Sequence, residues 1–107
     1  MNATSLIMGA FLVFPLDPGS FKNFSETARM DKVPQGMQTA MHTHPFLSAY
    51  VTDKLNLYDG VHHYTLPGQA LVMVPVDAPH SWIPQKENAG QVGSVGHEHD
   101  VQSLIVV

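Results

Sequence analysis

The chain has 107 residues, which fits one domain spanning 1–107 and leaves no room for a second. A hydrophobic content of 44% supports a packed core and argues against intrinsic disorder, and the absence of cysteine excludes a disulfide scaffold, a thiolate zinc finger and a cysteine nucleophile. Net charge is −4 and the five basic residues are scattered, so no basic stripe exists to neutralise phosphates and nucleic acid is not an expected partner.

In chain order, Leu6–Phe14 is a continuous apolar run closed by Pro15 and Asp17-Pro18-Gly19, which predicts a buried strand followed by a turn. The run is too short to span a bilayer, and no Lys or Arg precedes Lys22 to form the basic start of a signal peptide. A membrane is therefore not an expected partner, and a cytoplasmic protein is expected. Ser25–Met30 reads either as a short helix with Phe21, Phe24 and Ala28 on one face or as an alternating strand, with the strand preferred. Gln38–His44 alternates as a strand, which puts His42 and His44 on one face. Strands follow at Phe46–Val51, Leu55–Tyr58 and His62–Leu66, the last two joined by a turn at Asp59-Gly60.

Pro67-Gly68 marks a further turn, Leu71–Val74 an apolar strand, Pro75–Pro79 a proline-bounded turn and His80–Ile83 another short strand. The polar, glycine-rich stretch Glu87–Gly96 reads as a loop, and Val101–Val107 as a final strand. Short strands at this spacing point to an all-β sandwich or barrel.

Seven histidines in a chain that is only 13% charged are the main chemical signal. His42-Thr43-His44 sets two imidazoles at i and i+2 of a strand, within reach of one ion. Around this pair the chain has Gly36, five residues, then His42-x-His44, and downstream Pro67-Gly68, an apolar strand and Pro75-x-Asp77-x-x-His80. This arrangement resembles the cupin superfamily of small antiparallel jelly-roll β-barrels, whose motifs read G-x5-H-x-H followed by a Glu and a Gly, and G-x5-P-x-G-x2-H-x3-N. The resemblance implies that His42, His44 and His80 are metal ligands. It departs from the family where Pro45 to Ala49 holds no carboxylate, where Asp77 replaces the second motif's Gly, and where Pro84 replaces its Asn. The Gly68-to-Pro75 gap is also one residue longer than the family's.

Without the Glu, a metal would rest on three imidazoles with open positions. Neutral imidazoles suit Fe, Zn, Ni, Cu or Mn and do not suit Ca or Mg. The resemblance implies a metal-dependent, dioxygenase-like oxidoreductase acting on a small chelating molecule in the barrel. An alternative is that the same histidines are hydrogen-bonded lining without metal. In that case the segment His42–Trp82 resembles the small-molecule-sensing barrel at the N-terminus of arabinose-type transcription regulators.

Four further residues are candidates for contacts around the ligands. His62 shares strand parity with Tyr64 and Leu66, so it would face inward. Asp77 would either orient a ligand imidazole or cap its turn. Tyr50 and Trp82 are read chiefly as aromatic core lining the barrel. Met8, Met30, Met37, Met41 and Met73 are read as adaptable apolar filling. His97 and His99 form a second same-face pair, read as a solvated turn. The apolar Leu6–Phe14 run on a weakly charged chain also predicts a homodimer in which that run adds a strand across the interface.

Overall fold

The computed structural model describes residues 5–95. It has nine strands, one helix and antiparallel pairing throughout, in agreement with the all-β expectation. The strands are β1 (Leu6–Met8), β2 (Phe11–Pro15), β3 (Arg29–Val33), β4 (Ser48–Asp53), β5 (Leu55–Tyr58), β6 (His63–Thr65), β7 (Gln69–Val74), β8 (Ser81–Pro84) and β9 (Gly90–Ser94), and the helix is α1 (Pro18–Thr27). They form a six-stranded sheet, β1-β2-β7-β4-β9-β3, and a three-stranded sheet, β6-β5-β8. The two sheets face each other and the expected jelly-roll barrel does not close between them, with one isolated bridge, His42 to His80, at the edge of the small sheet.

The main core lies between the sheets. Phe11 and Val13 of β2 and Ala70, Val72 and Val74 of β7 face Leu55 and Leu57 of β5 and Trp82 of β8. The alternate residues of the large sheet point the other way, where Leu12, Leu71 and Met73 pack with Val51, Phe21 and Phe24 in a second cluster under α1. Both faces of β2 and β7 are therefore covered, which is why these strands read as unbroken apolar runs rather than alternations. Met73 is buried and Met8 and Met30 pack at the core margins, whereas Met37 and Met41 are exposed rather than filling.

Several sequence expectations change. Leu6–Phe14 is a hairpin rather than one buried strand: it reverses at Gly9, which has φ of +60° and backs onto the Tyr64 hydroxyl, and the residue most exposed on β1, Ile7, is 81% exposed. The Asp17-Pro18 pair starts a helix. Asp17 accepts a hydrogen bond from the Ser20 N–H at 2.7 Å and Pro18 fills the first helical position, where its missing N–H costs nothing. Ser25–Met30 is thus the last turn of α1 followed by the start of β3, not a single strand.

The Glu87–Gly96 stretch contains β9, which lies between β4 and β3. Its glycines reflect crowding. A Cβ on Gly90 would run into the Leu55 side chain, and one on Gly93 would meet Met30 and the Ala28 methyl. The strand proposed at Val101–Val107, together with His97 and His99, lies outside the described residues. Among the described residues no helix is long and apolar enough to cross a membrane.

Candidate metal centre

The segment expected as a strand at Gln38–His44 is an irregular arm laid along β8. The Thr39 N–H donates to the Trp82 carbonyl, the Trp82 N–H donates to Thr39 Oγ1 at 2.8 Å, and Ser81 Oγ donates to the Thr39 carbonyl at 2.6 Å. Three residues further along the arm, His42 and His80 exchange both backbone bonds, at 3.2 and 3.1 Å. Directly opposed residues of such a pair project side chains to the same face, and the two rings sit 4.2 Å apart. The arm ends where the Asp77 N–H donates to the His44 carbonyl at 2.8 Å.

His44 follows with its ring 4.8 Å from His42 and 5.2 Å from His80. One nitrogen from each of the three rings lies within 4.8 Å of the others. The rings differ in exposure: His42 is exposed, His44 half-buried and His80 fully buried. Each is also oriented by a named partner. His42 Nδ1–H donates to the Ala40 carbonyl at 2.8 Å and His80 Nδ1–H donates to the Ala78 carbonyl at 2.9 Å, in each case two residues earlier. A carbonyl can only accept, so the ring proton is on Nδ1 and Nε2 carries the lone pair. In His80 that Nε2 is buried and has no hydrogen-bond partner among the described residues. His44 is different, because its Nε2 lies 2.8 Å from the Tyr50 hydroxyl.

Burial and the neighbouring imidazoles set the protonation states. Loss of solvent around His80 holds its pKa below the usual imidazole range, opposed by the bond to Ala78 and reinforced by the charges His42 and His44 would carry. Burial lowers His44 too, with His42 adding to the effect. Both rings therefore favour the neutral form that a metal requires. Burial raises the Tyr50 phenol, partly offset by the Ser48 hydroxyl beside it.

The donor set fits a transition-metal ion. It offers three imidazole nitrogens, one of them an orphaned buried atom, and in His42 and His80 the second nitrogen is held by a carbonyl as in many ligand imidazoles. Nitrogens about 2.0–2.1 Å from a tetrahedral ion stand about 3.3 Å apart, so the rings must draw in from separations of up to 4.8 Å. The exposed His42 and half-buried His44 have the freedom to do so.

The remaining candidates fall in different places. Tyr50 projects from β4 into the site, and Trp82 lies behind it in the main core, 5.4 Å from Tyr50 and 5.9 Å from His80. His62 is on the surface: its ring is 68% exposed, 3.9 Å from Asp59 at the β5–β6 turn, because the chain is not yet in strand at that position. His63 is exposed as well and stacks on Tyr58 at 4.2 Å. Asp77 is exposed, and the imidazole nitrogens it was considered for are taken by Ala40 and Ala78 instead. Its φ of +60° accounts for a glycine at the matching position of the resembled motif, and Asp is among the few residues that tolerate that region.

Two contributors escaped the sequence reading. Phe46 stacks on His44 at 5.3 Å and 25°, and Ser48 lies two residues before Tyr50 on the same strand face. Strand parity alone was the signal for Ser48. Comparison of the chain with protein-family models, with curated proteins and with solved structures finds no match.

Proposed function

We propose that the chain is a single cupin-type domain that holds one divalent transition metal on His42, His44 and His80 and acts on a small chelating molecule as a dioxygenase-like oxidoreductase. The observation that carries this reading is the fully buried His80 Nε2, without a partner among the described residues and beside two further imidazoles. Leaving such a group unsatisfied is costly, and an ion held by all three rings relieves it. When bound, the ion would supply Lewis acidity and open positions for dioxygen and substrate. The chain's own residues fix the rest: the Ala40 and Ala78 carbonyls hold two rings in the ligating tautomer, and Trp82 and Phe46 wall the site with apolar surface.

Untagged protein reconstituted near pH 7.5 is expected to retain about one equivalent of Fe, Zn, Ni, Cu or Mn, and His80→Ala to retain none. Less than about a tenth of an equivalent in the wild-type protein overturns the reading.

One observation favours a second reading, a metal-free sensor barrel: the Tyr50–His44 bond already satisfies one imidazole without an ion. A small molecule that raises the melting temperature equally with and without chelator would support that reading. The exposed apolar side chains Leu6 and Ile7 on the terminal strand of the large sheet support the homodimer expected from the sequence. A monomeric mass by light scattering at micromolar concentration would remove it.

A further inference from the structure

The three imidazoles are pinned in two ways. His42 and His80 are held through Nδ1, which leaves Nε2 free, whereas His44 is held at Nε2 by the Tyr50 phenol. Beside that phenol lies a second orphan. Ser48 is 5% exposed, shares the inward face of β4 with Tyr50, and its Oγ has no hydrogen-bond partner among the described residues. Tyr50 bonds His44, six residues earlier, and Ser48 lies between them in the chain on the same strand face as Tyr50. Among the described residues the ion-free arrangement therefore leaves both His80 Nε2 and Ser48 Oγ buried and unsatisfied.

We propose that Tyr50 is a two-position partner, its hydroxyl capping His44 Nε2 in the ion-free site and passing to Ser48 Oγ when His44 Nε2 turns to a transition-metal ion. The proposal rests on the metal reading above. In the loaded arrangement both orphans are satisfied, His80 Nε2 by the ion and Ser48 Oγ by the phenol. No covalent bond is made or broken; one hydrogen bond is exchanged for another. Tyr50 is here a positioning residue. It holds the His44 ring in place while the site is empty, and in the loaded state its hydroxyl is drawn back onto Ser48, off the space beside the ion.

The test is a double-mutant cycle on affinity for Zn, measured by competition with a chromophoric chelator on purified full-length protein near pH 7.5. Ser48→Ala removes the acceptor needed only in the loaded state, so ion-free stability should not fall, while affinity should drop about fivefold, the worth of one hydrogen bond. Tyr50→Phe loses one bond in each state, so affinity should stay within about twofold of wild type. In the Tyr50→Phe background, Ser48→Ala should have no further effect, a non-additivity that a merely structural role for Ser48 would not produce.

Three results overturn the handover while leaving the metal reading intact. One is a Ser48→Ala penalty that persists in Tyr50→Phe. Another is no Ser48→Ala penalty at all. The third is a 10- to 100-fold loss of affinity in Tyr50→Phe, the mark of a phenol that stays on His44 as a fixed outer partner. Absence of Zn binding by wild type overturns the metal reading and the handover together.

Discussion

The core between the two sheets and the arm at 39–44 lie side by side, but different forces hold them. The core is held by area: Leu55, Leu57, Val13, Val72 and Val74 are all fully buried between β2, β5 and β7. The arm is held by address. A few backbone and hydroxyl bonds to β8 and β7's following turn fix where His42 and His44 fall, and the arm's own side chains at Met41 and His42 remain exposed. Stability and ligand placement are thus largely separable in this fold. The buried His80, with two backbone bonds to the arm and its neighbour Trp82 in the core, is where they meet.

The largest expected effect comes from striking the core alone. Leu57→Ala removes a fully buried side chain facing β7 and β8, and should cost about 2–5 kcal/mol in denaturant unfolding. Below the melting transition its metal affinity should match wild type, because the arm's hydrogen bonds do not involve Leu57. A loss of affinity in the folded variant would mean that the two regions are coupled. Next in size is Gly90→Ala. The added methyl meets the Leu55 side chain and lies 3.0 Å from the Lys54 carbonyl, so overpacking of about 1–3 kcal/mol is expected, again without effect on affinity.

Gly90 also shows why part of the fold was hidden in the sequence. Strands β5 and β7 were legible because Leu55, Leu57 and the Leu71–Val74 run record burial directly. Strand β9 was not, because its glycines answer to the bulk of Leu55 and Met30 on neighbouring elements, and single-chain patterning carries no record of a neighbour's size. Helix α1 was open to reading, since Asp17-Pro18 and the spacing of Phe21 and Phe24 are helical signals, but the alternation after Ser25 competed with them. The three-histidine group was legible by position and less so by cause. Regular strand parity was expected to align His42 with His44, whereas the arm achieves it through one paired residue and bonds to Trp82 and Asp77. Tyr50 was read chiefly as core, because nothing in its flanks reveals that its hydroxyl meets a histidine six residues earlier.

A smaller effect joins the two regions through pH. Burial holds the folded-state pKa of His80, and less deeply buried His44, below the ordinary value of 6.5. The unfolded chain therefore binds protons on these rings before the native chain does, and stability must fall as pH drops. Their contribution is fully present above 6.5 and is lost as pH falls through the depressed native values. Asp17 and Asp59 have carboxyls lowered by backbone N–H bonds, so they act in a separate window that opens only below 3.8. Guanidinium unfolding of ion-free protein should show a decline beginning near 6.5, well before the acid limb, and a flat profile from about pH 8 to pH 5 would contradict the burial of these rings.

The smallest effect on stability should come from His42→Ala, and it is the sharpest cut between the two regions. The ring of His42 is exposed, and among the described residues its one hydrogen bond is to the Ala40 carbonyl two residues away. The bonds that tie this point of the arm to β8 use the His42 main chain, which the substitution leaves in place. Unfolding free energy should therefore stay within about 0.5 kcal/mol of wild type. Affinity for Zn should fall by more than about 100-fold, since a direct ligand is lost and outer partners alone are worth 10- to 100-fold. If affinity survives, His44 and His80 hold the ion without the arm's exposed ring. If instead stability falls with affinity, the arm contributes to the fold through its side chains, and the separation between a core held by area and a site held by address does not stand.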